Sequence, residues 1–462
     1  MIKIGLECHV PLNKIKTKLF CGCSLPKETS EPNTHTCVTC LGHPGSKPVL
    51  NKEAINQSLK LSLALNFKVN NEIFFSRKNY FYPDMNKNFQ ITQYEIPLGI
   101  NGVLKLENKE IKLKRIHLEE DPGSLVHPEG MQKSSYVLVD YNRAGMPLCE
   151  IVTEADLESP EEARDFLRKL ISVISYLGVY DPNKNPIKVD ANISIKEKGY
   201  TKVEIKNISG FKEVETALLN EVDRQKNSKK VEQETRAWDS SKGITFSLRQ
   251  KEEEIDYGYI FEGDLVKVEF DRDKINKSKE EIPELAHEKI KRYLKEFRLD
   301  KKDAEVLSQE HKLALLFEKV SKEIDPILAA RWLRRELLRV LNYNKKSIED
   351  LEIDEKHLID LLNLVEKKQI TDANAKKILE KLIKKPFDVK EYVKKEGLRV
   401  IAKEDELEKI CEEAIKKNKK AVEDYKKGEE RSLNFIVGQV MRLTKGQAKP
   451  DVVRKIIINK LS

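Results

Sequence analysis

Nothing in this sequence is apolar for long enough to cross a membrane; the longest apolar runs are a few residues. The chain starts directly in a strand pattern without a basic-plus-apolar leader, so the expected location is cytoplasmic. No G-x-x-x-x-G-K-S/T loop and no G-x-G-x-x-G occurs, and any nucleotide site is therefore built without the usual glycine-rich cradles. Gly42-His43-Pro44-Gly45-Ser46-Lys47 has the wrong spacing for one. No Cys–His pair and no G-x-S-x-G elbow marks a nucleophile of the chain's own. Methionine (5) and tryptophan (2) are scarce beside abundant Lys, Glu and Ile, a balance compatible with a heat-adapted source. Excess charge is scarce too: 85 Lys+Arg against 77 Asp+Glu leave +8, a weak argument for a polyanionic partner.

What is present describes a globular protein with a heavily charged surface, 39% hydrophobic and 35% charged. At 462 residues it is too long for one core, and two to four domains are expected. The first strand reads Lys3-Ile4-Gly5-Leu6-Glu7-Cys8-His9-Val10, with Ile4, Leu6, Cys8 and Val10 on one face and Glu7 and His9 on the other. A carboxylate and an imidazole two residues apart are half of a metal or acid–base site, or else a solvated strand face. Next come Cys21-Gly22-Cys23 and Cys37-Val38-Thr39-Cys40, two short thiol pairs able to close a tetrahedral zinc site. Two disulfides are the rival, which a cytoplasmic location disfavours; four sulfurs leave no open position for catalysis.

Asn51 to Leu65 reads as a capped helix with an Ile55, Leu59, Leu63 ridge. Ser76-Arg77-Lys78-Asn79-Tyr80-Phe81-Tyr82-Pro83-Asp84 combines cations with aromatics, which suits phosphate contact and base stacking or, equally, an aromatic strand end on the core. Arg115-Ile116-His117-Leu118-Glu119-Glu120-Asp121 runs a strand into three carboxylates, which repel one another unless a cation such as Mg²⁺ joins them. Glu150 stands alone in the apolar strand Leu148–Val152, so it is paired or a ligand. After a helix from Ser159 to Leu177, a hairpin sets Asp190, Asn192 and Ser194 on one face, with Lys202, Glu204 and Lys206 on its return strand. A helix from Phe211 to Gln225 should back this sheet.

The charged stretch Asp271 to Pro283 marks the main domain boundary, and everything beyond it is helical in pattern. Arg331, Arg335 and Arg339 at i, i+4 spacing, with Arg334 beside them, suit phosphate or, more commonly, a solvated face with Glu336. A second boundary falls near Ala402, and residues 401–462 carry 15 Lys+Arg against 11 Asp+Glu. Within them lie Val437-Gly438-Gln439-Val440-Met441 and the loop Lys445 to Pro450. Composition leaves RNA docking and a protein-partner surface both open there. The expected fold is α+β: a cradle of mixed or antiparallel sheet and helices over 1–283 with a zinc knuckle at 21–40, an all-α domain over 284–402, and a small basic helical tail over 403–462.

Taken in order, these stretches resemble one family, the B subunit of the glutamyl/aspartyl-tRNA amidotransferase (GatB). The resemblance runs through Gly5-Leu6-Glu7 with His9, both cysteine pairs, Leu50-Asn51-Lys52, Arg77 to Asp84, Arg115 to Asp121 and Asn142-Arg143. It continues through Asp190 to Ser194, Lys206-Asn207, Gln233 to Arg236, Trp238-Asp239, Val437 to Met441 and Thr444-Lys445-Gly446, nearly the full length. It implies a two-step reaction in a ligase of protein biosynthesis. ATP phosphorylates the side-chain carboxylate of misacylated Glu-tRNA(Gln) or Asp-tRNA(Asn), and ammonia then displaces the phosphate. Carried over, Glu7, His9, Glu119, Glu120 and Glu150 are Mg²⁺ ligands or their partners, and Glu120, Glu150 and Asp190 are catalytic. Arg77, Lys78, Tyr80, Tyr82 and Lys206 hold ATP phosphate or the aminoacyl end. Cys21, Cys23, Cys37 and Cys40 hold structural Zn²⁺, and the tail, similar to a YqeY domain, touches tRNA. The implied partners are a glutaminase (amidase) subunit, a small third subunit completing a heterotrimer, the misacylated tRNA, and an aminoacyl-tRNA synthetase; no membrane is implied.

Two places depart from the family pattern. Asp256-Tyr257-Gly258-Tyr259-Ile260-Phe261-Glu262-Gly263-Asp264-Leu265 lacks the family's arginine and prolines, which puts any role of that loop in doubt, and Pro122-Gly123-Ser124 stands where A-G-K is usual, so a positive contact beside the metal is expected to be missing. The GatE relative carries an extra inserted domain for which this chain has no room. The alternative reading is a non-catalytic, zinc-containing tRNA-binding scaffold.

Overall fold

The structure is a computed structural model and describes residues 1–27, 29–130, 134–182, 184–250, 257–400, 404–444 and 446–461. They form two compact units, Met1–Leu285 and Ala286–Ser462. The expected second boundary near Ala402 lies outside the described residues.

The first unit contains, in chain order, β1 (Ile2–Pro11), α1 (Lys52–Ala64), β2 (Lys68–Val69), β3 (Glu72–Ile73), β4 (Ser76–Asn79), β5 (Phe89–Thr92), β6 (Gly99–Lys105) and β7 (Glu110–Glu120). There follow β8 (Ser124–Val126), β9 (Leu138–Asp140), β10 (Pro147–Thr153), α2 (Pro160–Leu177), β11 (Lys188–Ile195), β12 (Val203–Ser209) and α3 (Phe211–Asn227). The unit ends with β13 (Glu234–Asp239), β14 (Ile244–Gln250), β15 (Tyr259–Phe261), β16 (Val268–Glu269) and α4 (Arg272–Glu280).

Nine of these strands make one sheet in the order β14-β13-β12-β11-β1-β10-β7-β6-β2. Its neighbours are antiparallel except for β12 and β13. Two-residue alternation decides the faces. Ile4, Leu6, Cys8 and Val10 are wholly buried under the helices, while Glu7 and His9 come up on the other side. Helix α1 starts where expected because Asn51 accepts from the N–H groups of Glu53 (2.9 Å) and Ala54 (3.2 Å). In α2, Ser159 caps, Pro160 opens and Gly178, at φ 65°, closes the helix. Val214, Ala217, Leu218 and Val222 of α3 join the same core, so this helix does back the sheet. Outside it, β15-β4-β5 form a three-stranded sheet and β8-β9 a hairpin.

The second unit is helical: α5 (Ala286–Glu296), α6 (Lys301–Ser308), α7 (His311–Val320), α8 (Pro326–Arg331), α9 (Leu338–Tyr343), α10 (Glu355–Glu366), α11 (Asp372–Lys384) and α12 (Val389–Lys395). Next come α13 (Glu404–Lys417), α14 (Lys419–Lys426), α15 (Glu430–Leu443) and α16 (Pro450–Leu461). It holds two separate apolar cores, one from Tyr293 to Val393 and one from Leu407 to Ile457. Between α8 and α9 the chain winds as a π-turn, Trp332–Leu337, and Arg331, Arg335 and Arg339 all stay exposed across it. Arg334 pairs with Asp303, and Arg339 with Glu336 (3.2 Å), the partner expected of a solvated face, and with Glu380 (3.0 Å). Among the described residues, no helix is long and apolar enough to span a membrane.

Candidate functional site

The open face of the central strands carries a polar ladder whose members the register brings level. On β1, β10 and β7, His9 stands opposite Glu150, and Glu150 opposite His117. Imidazole Nε2 atoms flank one carboxylate: His9 lies 3.2 Å and His117 3.7 Å from Glu150 Oε2. Glu119, two residues beyond His117 on the same face, puts Oε2 3.4 Å from His117 Nε2 and accepts from Thr92 Oγ1 at 3.0 Å. Ligand atoms of His9, Glu119 and Glu150 all fall within 4.8 Å of one another. Although burial works against it, the His9 proton is held up to about 10 by the hydrogen bond and charge of Glu150. Burial likewise opposes ionisation of Glu150, yet His117, His9 and Arg115 hold its carboxyl far below the usual range.

One register step away lies a second group. Glu7 is level with Asp190 on β11, and Glu204 follows on β12; their oxygens also lie within 4.8 Å of one another. Lys206 sits among them, 3.0 Å from Asp190 and 3.3 Å from Glu204. Burial first, and then the charges of Glu150, Asp190 and Glu204, push the Glu7 carboxyl up. Against the same burial, Lys206 and His9 keep Asp190 low. Asn192 Nδ2 donates to Glu7 Oε1 at 3.0 Å.

Glu120 joins neither group. Alternation turns it to the opposite face of β7 from Glu119, where Lys87 Nζ (2.5 Å) and the Ile91 N–H (2.8 Å) bind Oε1. There it lines a cavity of about 200 Å³ with Arg77, Lys87, Glu262, Asp264, Cys21 and Cys40. Arg77 is gripped in a two-pronged pair by Glu262, at 2.6 and 2.8 Å. Lys78 lies over the Tyr257 ring (4.4 Å), and Tyr80 stacks on Tyr82 with centroids 5.9 Å apart. The structure therefore divides the expected residues among three places: the ladder (His9, Glu119, Glu150), the group around Lys206 (Glu7, Asp190), and the cavity side (Glu120, Arg77).

Cys21, Cys23, Cys37 and Cys40 bring their sulfurs within 4.8 Å of one another and form no disulfide. A hydrogen bond from Cys21, outweighing burial and helped by the Cys37 backbone and the Lys18 charge, holds Cys40 down to about 4. Four converging thiols, one already favouring the thiolate, fit a tetrahedral metal.

His117, Glu204, Lys87, Glu262 and Lys18 were not anticipated as site residues. His117 was within reach of the alternation that pairs it with Glu119. The partnerships of Lys87 and Glu262 are long-range and left no local signal. The departing loop has a structural part: β15 pairs with β4, Gly258 O accepts from Asn79, and Glu262 holds Arg77. Asp256 lies outside the described residues. At the Pro122-Gly123 turn, Arg143 pairs with Asp121 (3.2 Å) and donates to the Pro122 (3.1 Å) and Gly123 (2.9 Å) carbonyls.

Residues 2–276 match the family model described as GatB/GatE catalytic domain, and residues 315–461 match the GatB domain. The B subunit of the aspartyl/glutamyl-tRNA(Asn/Gln) amidotransferase from Carboxydothermus hydrogenoformans is 42% identical over 474 residues, covering 99% of this chain and 98% of that protein. The protein of the same name from Thermodesulfovibrio yellowstonii is 43% identical over 98% of each chain. That of Methanosarcina barkeri is 42% identical, over 100% of this chain and 98% of its own. With the polar ladder lying inside the span of the catalytic-domain model and relatives matched end to end, the chain belongs to the GatB family of amidotransferase B subunits.

Proposed function

We propose that this chain activates the side-chain carboxylate of Glu on tRNA(Gln), Asp on tRNA(Asn), or both, by phosphoryl transfer from ATP, and then passes it to ammonia. A carboxylate does not lose oxide to ammonia at neutral pH; as an acyl phosphate it has a leaving group. The observation that carries this reading is the ladder of His9, Glu119 and Glu150 on the open face of the central strands. One nitrogen and two carboxylates converging there fit a divalent cation, Mg²⁺ or its surrogate Mn²⁺. When bound, such an ion offsets phosphate charge and holds two anions within reach of each other.

The chain's own groups do the rest. Lys206, held by Asp190 and Glu204, presents an ammonium beside the ladder for a phosphoryl oxygen. Glu7, whose carboxyl is pushed up, is suited to take the proton that ammonia sheds as it attacks. Arg77, Lys78, Tyr80 and Tyr82 lie on or beside β4 and would meet ATP or the aminoacyl end. Arg77 does so only by sharing its guanidinium with Glu262. The four cysteines hold Zn²⁺ as a structural brace. The chain lacks a nucleophile motif for releasing ammonia from glutamine, which supports a separate glutaminase (amidase) subunit and, with a small third subunit, a heterotrimer working in the cytoplasm. An aminoacyl-tRNA synthetase would supply the charged tRNA, and the basic tail would contact its body.

The test uses the assembled complex with Glu119→Gln or Glu150→Gln, following amide formation on charged tRNA and ATP consumption together. Each variant should lose about 100-fold or more in both. Near-normal rates would remove the ladder from the chemistry. A wild-type complex that binds misacylated tRNA but consumes no ATP would favour the scaffold instead.

A further inference from the structure

Lys18 is wholly buried, at 0% exposure. Its backbone is fixed on both sides: its N–H donates to the Cys23 carbonyl at 2.9 Å, and its carbonyl accepts from Asn51 Nδ2 at 3.2 Å. Enclosed by protein, the side chain has little choice of direction. Nζ ends 3.6 Å from Cys40 Sγ and 3.4 Å from the Tyr141 carbonyl, and among the described residues it makes no ion pair with a carboxylate. Glu120, which approaches the same Gly145 as Lys18 does, is already clasped by Lys87 at 2.5 Å.

An ammonium removed from water is strongly disfavoured without a counter-charge, and a carbonyl is only a dipole. A Cys40 thiolate supplies part of that charge by itself, and four thiolates around a divalent ion supply more, because such a centre carries a net charge of about −2. Cys21, Cys23 and Cys37 of that centre are half-exposed, but Cys40 is buried, and on its side a cation within the protein offsets the charge that water does not reach. Each half of the arrangement answers the other's deficit.

We propose that Lys18 is the charge partner of the four-cysteine centre. Its ammonium donates to Cys40 Sγ, offsets part of the negative charge of the loaded site, and so strengthens the hold on a thiophilic divalent ion such as Zn²⁺. Through Tyr141 it also ties the knuckle to the loop bearing Asn142 and Arg143. This rests on the reading of the four cysteines as metal ligands, and the experiment separates the two.

Full-length Lys18→Gln and Lys18→Arg chains are compared with wild type by zinc competition against a chelator, and by the sulfur-to-metal charge-transfer bands of the Co²⁺-loaded protein. Lys18→Gln should hold zinc about 10–100-fold more weakly, the usual loss for a group that supports a ligand, with its bands displaced. Lys18→Arg keeps the charge and should stay near wild type. Equal losses in both variants, or no loss in either, would overturn the proposal. Absence of charge-transfer bands in wild type would instead remove the metal reading, and the role of Lys18 with it.

Discussion

Glu119 and Glu120 are neighbours in the chain with different work, because a strand sends consecutive side chains to opposite faces. Glu119 belongs to the ladder; Glu120 answers Lys87. Glu119→Gln should weaken Mn²⁺ binding about 10-fold or more, while Glu120→Gln should leave it within about 2-fold, as titration calorimetry would show. Comparable losses in both would return Glu120 to the cation group. His9 gives a pH test with two opposite signs. Its imidazolium is favoured up to about 10, against an ordinary 6.5, so the pair with Glu150 stabilises the metal-free fold in full below about 6.5. That contribution fades as the pH rises through about 10. A cation takes Nε2 only from the neutral ring, so its affinity rises over the same interval. Urea midpoints and Mn²⁺ affinities at pH 7 and 9 should therefore move in opposite directions, and His9→Gln should flatten both.

At the scale of the element, local chemistry was legible wherever it was local. The caps at Asn51 and Ser159, the closing Gly178 and the alternation of β1 all follow from adjacent residues. Asn51 does more than cap: its Nδ2 donates to Thr17 Oγ1 at 2.9 Å and to the Lys18 carbonyl at 3.2 Å, binding α1 to the segment that carries Lys18. Asn51→Ala should cost about 1–2 kcal/mol and lower the urea midpoint by the matching amount; an unchanged midpoint would deny the cap its role. The π-turn at Trp332–Leu337 was not legible. Counting in fours along Arg331, Arg335 and Arg339 presumes a regular helix, and the wider turn has no mark in the adjacent residues: Trp332, Leu333 and Leu337 are buried against residues distant in sequence. The division of the acids was half legible. Alternation predicts that Glu119 and Glu120 part company, but only cross-strand register shows that Glu7 keeps company with Asp190 and Glu204.

For the whole molecule, the described residues form two compact units, Met1–Leu285 and Ala286–Ser462. The nine-strand order could not be foreseen, since it depends on pairings between distant segments. β1 lies between β10 and β11, buried on one face and roofed by polar groups on the other. Its central amides should be among the last in the first unit to exchange with deuterium, later than those of β2 at the sheet edge. Early exchange from Leu6 to Val10 would contradict the register. That placement has a consequence on the ribosome. The strand that becomes the middle of the sheet is made before both of its neighbours, and His9 must wait for Glu150, 141 residues later, to be translated. At roughly 5–20 residues per second the wait is on the order of 10 s, during which an apolar ribbon of Ile4, Leu6, Cys8 and Val10 has no partner strand. Nascent chains of this protein should therefore lean on chaperones until β10 and β11 emerge and close over the strand from both sides.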